Sequence, residues 1–243
     1  MKRLPAFLFG VAAYVAFLYT FLYAIGFVGN IAVSKGIDDG GQTPFLSALA
    51  VDLALIALFG IQHSVMARPG FKERWTRLVP GPIERSIFVL CASFCLLLLF
   101  REWRPVPGGL WDFPAGPMCS ALTGLFWAGW LIALASSFLI NHFDLFGLRQ
   151  VYLYLRGIDY APVAFRHPLF YKYVRHPLML GFLIAFWATP HMSAGHLIFS
   201  LGMTVYIFIG IALEERDLLN KFGEEYEQYR RQVPMIIPLP RKK

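Results

Sequence analysis

Long apolar runs follow one another along the chain and limit the folds it can adopt. A helix rises about 1.5 Å per residue, so about 20 apolar residues cross a hydrocarbon core of about 30 Å. A water-soluble surface is excluded, because hydrophobic residues make up 57% of the chain and charged residues only 15%. The sequence therefore predicts an all-α polytopic membrane protein. Five runs of spanning length cover approximately residues 5–28, 44–65, 85–101, 117–140 and 195–213.

A sixth apolar run, 177–189, is too short to cross a membrane as a regular helix. Its thirteen residues would reach only about 20 Å. Its ends must therefore lie below the membrane surface, or its start must continue into a protein-lined cavity. The turn that follows it, 190–195, is so short that the last two apolar runs must be antiparallel neighbours. We therefore expect about six transmembrane helices, the last two forming a tight hairpin.

The basic residues predict how these spans are oriented. Lysine and arginine are enriched in the cytoplasmic loops of membrane proteins. If the N-terminus is cytoplasmic, 19 of the 22 lysine and arginine residues fall on that side. Two termini on the same side require an even number of crossings. Four crossings would meet this condition as six do, but part of the charge bias would be lost. We expect a multi-pass protein of a bacterial-type inner (plasma) membrane, with both termini in the cytoplasm.

Two regions outside the spans are amphipathic. The inner loop 141–176 is rich in aromatic residues and is expected to lie on or in the inner membrane face. After Glu214, apolar residues recur at helical spacing up to Pro234, which predicts a single amphipathic cytoplasmic helix. These patterns divide the chain into N-terminal transmembrane helices, 1–140, and a cofactor-binding region, 141–243.

Charged residues flank the two runs of the hairpin. Arg175 and His176 precede one run, with Pro177 at a first-turn position, and Glu214 and Glu215 close the other. In an antiparallel hairpin these ends meet. Singly, such residues are ordinary for a membrane interface or for the start of a solvated helix. Together they would surround a submerged cavity with both signs of charge, as a cofactor with carboxylate and ammonium groups requires.

The pattern of this region resembles a known superfamily. The motif Arg175-His176-Pro177-Leu178-Met179-Leu180-Gly181 is followed by the Glu214-Glu215 pair. It is similar to the S-adenosylmethionine-binding region of the isoprenylcysteine carboxyl methyltransferases and phospholipid methyltransferases. The tyrosine that is usual two places after the proline in that superfamily is Met179 here. The pattern continues with Leu218, Phe222, Gly223, Tyr226, Tyr229, Val233 and Pro234.

Further stretches resemble one branch, the bacterial methanethiol S-methyltransferases, which make dimethyl sulfide from methanethiol. These stretches are 62–69, 141–150 and 186–190. The resemblance implies a membrane enzyme that uses S-adenosyl-L-methionine and a small-molecule thiol. It implies Arg175 and His176 at the donor's carboxylate and Glu214 or Glu215 at its ammonium or ribose. The other cofactor-binding residues it implies are Tyr171, Pro177, Leu180, Phe222, Tyr226 and Tyr229.

A thiol acceptor also needs a base, because the thiolate is the nucleophile and a thiol has a pKa of about 8.5 or higher. We expect this base to be His142 or Asp144, where a carboxylate could orient an imidazole. The same residues could instead form a helix cap. His63 is a weaker candidate at the end of the second span. Asp52, inside that span, is either functional or a helix-packing partner.

Other classes of function fit the sequence less well. The net charge of +7 could attract nucleic acid, but the basic residues lie between apolar runs and form no stripe. The cysteines have no histidine at ligand spacing, so no metal is expected. The bilayer is a partner, and nothing in the sequence indicates an oligomeric state. A methyltransferase for a lipid or a prenylcysteine carboxylate, and a non-enzymatic transporter or sensor, are the alternatives.

Overall fold

A computed structural model describes residues 2–41, 43–162 and 168–238 of the chain. Arg166 and the basic residues at 241–243, which entered the orientation argument, lie outside the described residues. The structure is mainly helical and has very little strand, as predicted. Its helices are α1 (Arg3–Gly29), α2 (Phe45–Ala67), α3 (Pro69–Trp75), α4 (Gly81–Glu102), α5 (Pro117–Ile140), α6 (His142–Leu145), α7 (Leu148–Arg156), α8 (Pro177–Trp187), α9 (Ala194–Phe222) and α10 (Glu224–Gln232).

The predicted spans are confirmed as helices. Within the described residues, α1, α2, α4, α5 and α9 are long and apolar enough to cross a membrane. The sixth run is α8, which is apolar but has only eleven residues and is therefore about 16 Å long. The chain is thus a multi-pass membrane protein with one short apolar helix beside five spanning ones.

The first compact unit combines residues within 1–108, 141–163 and 193–198. In it, α1 packs against α4 and α7, and α2 packs against α4. Gly10 lets α7 approach α1 closely, because a Cβ at this position would lie 2.4 Å from Cγ2 of Val151. The short helices α6 and α7 of the predicted inner loop belong to this unit. We refer to it as the N-terminal unit.

The second compact unit combines residues within 109–140, 164–192 and 199–243, and we refer to it as the hairpin unit. Its main contact is between α5 and α8. A Cβ at Gly181 would lie 2.5 Å from the backbone nitrogen of Ala133. A Cβ at Gly129 would lie 2.6 Å from the backbone nitrogen of Ala185. The two glycines therefore permit backbone-to-backbone packing of these helices. The predicted division of function at residue 140 stays a prediction.

The antiparallel hairpin is present in the hairpin unit. Near the end of α8, Trp187 donates its indole N–H to the hydroxyl of Thr204 at 3.0 Å. The hydroxyl of Ser200 donates to the carbonyl of Phe186 at 2.7 Å. These bonds hold the end of α8 against α9, so that the start of α8 lies towards Glu215, further along α9.

One local prediction was wrong. The chain after Glu214 is not one helix ending at Pro234, because α9 continues to Phe222 and α10 begins at Glu224. Gly223, with φ of 53°, separates them in a conformation that favours glycine. Two short strands also occur in the connections between helices, β1 (Gly109–Asp112) and β2 (His191–Ser193), and they pair in a two-stranded sheet.

Candidate functional site

The charged residues of the hairpin meet as predicted. Nε of Arg175 donates to Oε1 of Glu215 at 2.7 Å, and Nε2 of His176 lies 3.0 Å from the same oxygen. Nδ1 of His176 is 3.8 Å from Oε2 of Glu214. Arg175 and His176 are buried, whereas the side chain of Glu214 is 49% exposed. Glu215 is thus the centre of the cluster, and Glu214 is its solvent-facing carboxylate.

The local sequence explains how α8 begins at this cluster. Pro177 occupies the first turn, where its missing N–H would have no helical partner. The preceding His176 has φ of −125° and ψ of 62°, outside the helical region, so its side chain turns towards α9. The carbonyl of His176 accepts the N–H of Leu180 at 3.0 Å and starts the helix. The motif therefore places an imidazole and a guanidinium at one helix start.

Arg175 and His176 also fasten the C-terminal segment. Nη1 of Arg175 donates to the carbonyls of Val233 at 2.6 Å and Arg230 at 3.1 Å. The backbone N–H groups of Arg175 and His176 donate to the carbonyls of Pro234 at 2.9 Å and Met235 at 3.1 Å. The sequence predicted a charged hairpin but not this connection, because backbone acceptors leave no signature in residue types.

The predicted tyrosines lie in the same unit. Tyr226, Tyr229 and Val233 form a buried cluster with Leu218, Leu219 and Phe222, so the apolar residues converge although Gly223 interrupts the helix. The hydroxyl of Tyr229 donates to the carbonyl of Tyr171 at 2.7 Å. Burial raises the pKa of Tyr171 and Tyr226, and raises that of Tyr229 to about 12. All three tyrosines are therefore neutral hydrogen-bond donors at physiological pH.

His142, a candidate base, is buried in the N-terminal unit. Its Nε2 is hydrogen-bonded to the hydroxyl of Tyr14 at 2.8 Å. Its ring packs against Phe146 with the centroids 4.8 Å apart. Burial lowers the pKa of His142, which favours the neutral imidazole, the form that can accept a proton. Tyr14 had no signal in the sequence, since it lies 128 residues away on α1.

Asp144, the second candidate, is engaged through both oxygens. Arg149 donates from Nη1 to Oδ1 at 2.9 Å, and the hydroxyl of Tyr160 donates to Oδ2 at 3.2 Å. The backbone carbonyl of the same residue accepts Nε2 of Gln150 at 3.0 Å. These bonds tie α6 to α7 and to the chain that follows. The idea that Asp144 orients the imidazole of His142 stays a prediction.

The two candidates in α2 differ in their surroundings. The ring of His63 packs between Phe59 and Phe88, at centroid distances of 5.4 Å and 4.8 Å. Asp52 is fully buried, and its Oδ1 accepts the backbone N–H of Arg104 at 2.9 Å. That bond holds the chain leaving α4 against α2, in agreement with the helix-packing alternative for Asp52.

The spanning helices and the buried charge cluster define a polytopic membrane protein with a polar site where a short apolar helix begins. The family model described as NnrU protein matches residues 53–237. The chain therefore belongs to the NnrU protein family. No solved structure matches it.

Similar proteins extend over nearly the whole chain. A Mycobacterium tuberculosis protein named methanethiol S-methyltransferase is 52% identical and covers 100% of this chain and 99% of its own length. Methanethiol S-methyltransferase 2 of Bradyrhizobium diazoefficiens is 53% identical, over 97% of this chain and 91% of the relative. Human Nurim is 30% identical, over 88% and 90%. The family resemblance seen in the motifs is confirmed.

Proposed function

We propose that this protein is a membrane methyltransferase that converts methanethiol to dimethyl sulfide, with S-adenosyl-L-methionine as the methyl donor. The observation that carries the proposal is the identity of about one half to proteins named methanethiol S-methyltransferase, over more than nine tenths of both chains. The charge cluster at the start of α8 supports it, because that cluster lies in the motif that resembles a donor-binding region.

The residues of the hairpin unit match the chemistry of an amino-acid-bearing donor. A carboxylate needs cations or N–H donors, and an ammonium or ribose needs a carboxylate. Arg175 and His176 offer the first, while Glu214 and Glu215 offer the second. Because Glu215 is already bound to both cationic side chains, we assign the ligand-facing role to the half-exposed Glu214. Glu215 then holds Arg175 and His176 in place.

The aromatic residues of the same unit complete the proposed donor site. Tyr171, Phe222, Tyr226 and Tyr229 provide apolar surface and neutral hydroxyl groups, which an adenine ring and its substituents can use. Leu180, one turn into α8, adds aliphatic surface. The site needs no metal, because the donor brings its own leaving group.

The chemistry of the transfer is a displacement at carbon. S-Adenosylmethionine supplies an electrophilic methyl group on a sulfonium. A bond forms between this methyl carbon and the thiolate sulfur, the bond from methyl carbon to sulfonium sulfur breaks, and its electron pair stays on the departing thioether. Opposite charges are cancelled, so a dry site with aligned partners favours the step.

The thiol proton must leave before or during this step. We assign it to His142, whose neutral imidazole can accept a proton, with Asp144 and then His63 as the further candidates. Variants distinguish these assignments. His142→Gln should lower kcat most at low pH, where thiolate is scarce, and should recover activity as the pH approaches the thiol pKa of about 8.5. Equal loss at every pH would contradict a role as base.

We further propose that the protein lies in the plasma membrane of a bacterium with both termini in the cytoplasm. The positive-inside distribution of lysine and arginine supports this orientation. The donor would then be taken from the cytoplasm, where the start of α8 and the C-terminal segment are expected.

Headspace analysis of cells tests the function. Cells that express the chain and receive methanethiol should release dimethyl sulfide above a vector control. Glu214→Gln should raise the KM for the donor, whereas the matched variant Glu225→Gln, an exposed carboxylate of α10, should not. Absence of dimethyl sulfide from cells in which the membrane fraction contains the protein would overturn the substrate assignment.

A further inference from the structure

A cavity in the N-terminal unit is lined by none of the residues assigned to the donor. It has a volume of about 540 Å³, which is within the range of small-molecule sites. It is formed where α4 begins, at Gly81, and is bordered by α7 and the residues after it. Methanethiol, with two heavy atoms, would fill only a small part of it. The cavity therefore has room for a larger ligand than the proposed substrate.

Two residues of its wall have buried acceptors without a partner. Oε1 of Glu84 and Oε1 of Gln150 are inaccessible to solvent and accept no hydrogen bond from the described residues. The nitrogen of the Gln150 amide is already used, since it donates to the carbonyl of Asp144. A buried acceptor without a donor is unfavourable. Since both side chains border the cavity, a small rotation would let either oxygen accept from a donor held inside it.

The cavity carries charge of both signs, because Asp144 and Asp159 also border it. Its cationic side chains are Lys72, in α3, and Arg85, near the start of α4. Arg85 is held in place, because its Nε donates to the carbonyl of Leu145 at 2.7 Å and its guanidinium lies over the ring of Phe88. The start of α4 adds the positive end of a helix dipole. Anion-binding and ammonium-binding groups are therefore present in one cavity.

The surroundings of the cavity are those of a membrane interface. It lies at the start of a helix that is long and apolar enough to cross a membrane, and the ends of such a helix are where head groups meet the hydrocarbon. Ile158, in its wall, is 54% exposed, and Leu78, just before α4, is 81% exposed. Tyr154 and Tyr160 also border it, and tyrosine is enriched at this depth. A ligand with a polar head and apolar chains fits such a place.

We propose that this cavity binds a ligand that carries a primary ammonium and a phosphodiester, supplied by the head group of a phosphatidylethanolamine-type lipid. The ammonium donates to Glu84 and Gln150, and the phosphodiester lies beside Lys72 and Arg85. The acyl chains follow the exposed apolar side chains. The inference does not rest on the proposed function. Asp144, a further candidate base in that function, also borders the cavity, but no transfer step is assigned to the ligand held here.

Native mass spectrometry of the purified, delipidated protein tests the inference with three lipids of matched acyl chains. Phosphatidylcholine has the same charges as phosphatidylethanolamine but no N–H donor, and phosphatidylglycerol lacks the ammonium. The protein should bind phosphatidylethanolamine about tenfold more tightly than either. Glu84→Gln should abolish this preference. The matched control Glu73→Gln, an exposed carboxylate of α3, should keep it.

A second variant keeps the proposal testable if Glu84→Gln fails to fold. Lys72→Gln should weaken phosphatidylethanolamine and phosphatidylcholine alike and leave the preference between them unchanged. Glycerophosphoethanolamine, the soluble head group, distinguishes a lipid from a soluble ligand. If it displaces phosphatidylethanolamine at concentrations similar to those of the lipid, the cavity still recognises the ammonium and the phosphodiester, but its ligand is a soluble molecule. Equal binding of phosphatidylcholine and phosphatidylethanolamine, or an unchanged preference in Glu84→Gln, would overturn the proposal. Because the readout is binding without turnover, it is independent of methyltransferase activity.

Discussion

The two compact units handle their polar groups differently. In the hairpin unit, Arg175 and His176 converge on Glu215, and Arg175 also donates to backbone carbonyls. In the N-terminal unit, Asp144 is bound on both oxygens, yet Glu84 and Gln150 keep acceptor oxygens without a partner among the described residues. The first arrangement pairs its buried charges with one another and leaves only Glu214 half-exposed for the donor. The second leaves hydrogen-bonding capacity for a ligand.

The largest loss of stability should follow from disrupting the charge cluster around Glu215. Arg175→Ala leaves the largely buried Glu215 beside His176 alone and removes the Nη1 donor to the carbonyls of Arg230 and Val233. Removing one partner of a buried ion pair costs about 3–5 kcal/mol. We expect a marked fall in the thermal unfolding midpoint in detergent and loss of S-adenosylmethionine binding by calorimetry.

Arg216→Ala, at an exposed arginine of the same helix as Glu215, is the matched control. Its unfolding midpoint and its binding of S-adenosylmethionine should stay close to those of the unmodified protein. If Arg175→Ala unfolds at the same temperature as this control, the cluster does not stabilise the hairpin unit, and the contrast between the two units fails.

The next effect concerns helix packing. Gly181→Ala forces a Cβ against backbone atoms of Ala133 and Gly129, at 2.5 Å and 2.6 Å, which cannot move independently of α5. Overpacking of this kind costs about 1–3 kcal/mol. In Gly10→Ala of the N-terminal unit the three atoms nearest to the new Cβ belong to the side chain of Val151 and not to backbone, so the loss should be smaller.

Gly124→Ala in α5 supplies the control, because a Cβ there meets nothing within 4 Å. It should be neutral or slightly stabilising, since alanine favours a helix over glycine by about 1 kcal/mol. Thermal unfolding of the three variants in one detergent gives their order of stability. A Gly181→Ala protein as stable as Gly124→Ala would show that α5 and α8 are not packed backbone to backbone.

A smaller effect is expected at the tyrosine that links the C-terminal segment to the chain before α8. Tyr229→Phe removes the donor to the carbonyl of Tyr171 at 2.7 Å, a buried hydrogen bond worth about 1 kcal/mol. Tyr173→Phe, at an exposed tyrosine, should have no effect. Chemical unfolding measures the difference, and a loss of stability in Tyr173→Phe as large as that in Tyr229→Phe would contradict the assignment.

The smallest effect should occur in the N-terminal unit. Tyr160→Phe removes one donor from Asp144, but Tyr160 is 44% exposed and Arg149 still binds the same carboxylate. We expect a change within about 0.5 kcal/mol, as for most surface substitutions. The same unfolding assay applies. A loss of stability as large as that of Arg175→Ala would mean that the bonds of Asp144 stabilise the N-terminal unit as much as the cluster around Glu215 stabilises the hairpin unit.

The sequence was informative wherever composition determines structure. The five spanning helices, the short run that is α8, and the meeting of Arg175 and His176 with Glu215 were all predicted, because apolar length and a short turn leave few alternatives. The residues of the apolar cluster around Tyr226 were also anticipated from their helical spacing.

What could not be predicted depends on backbone geometry and on long-range contacts. The break at Gly223 requires a positive φ that the pattern of apolar residues did not reveal. The pairing of β1 with β2 joins two connections that are far apart in the sequence. The partner of His142 lies on α1, and the cavity at Glu84 collects residues whose spacing follows no periodicity.

The most direct test of the central claim uses purified protein, methanethiol and S-adenosylmethionine with a trideuterated methyl group. The account predicts dimethyl sulfide with one trideuterated methyl, in an amount equal to the S-adenosylhomocysteine formed, and none from Arg175→Ala. Unlabelled dimethyl sulfide, or donor consumption without a methylated thiol, would contradict it.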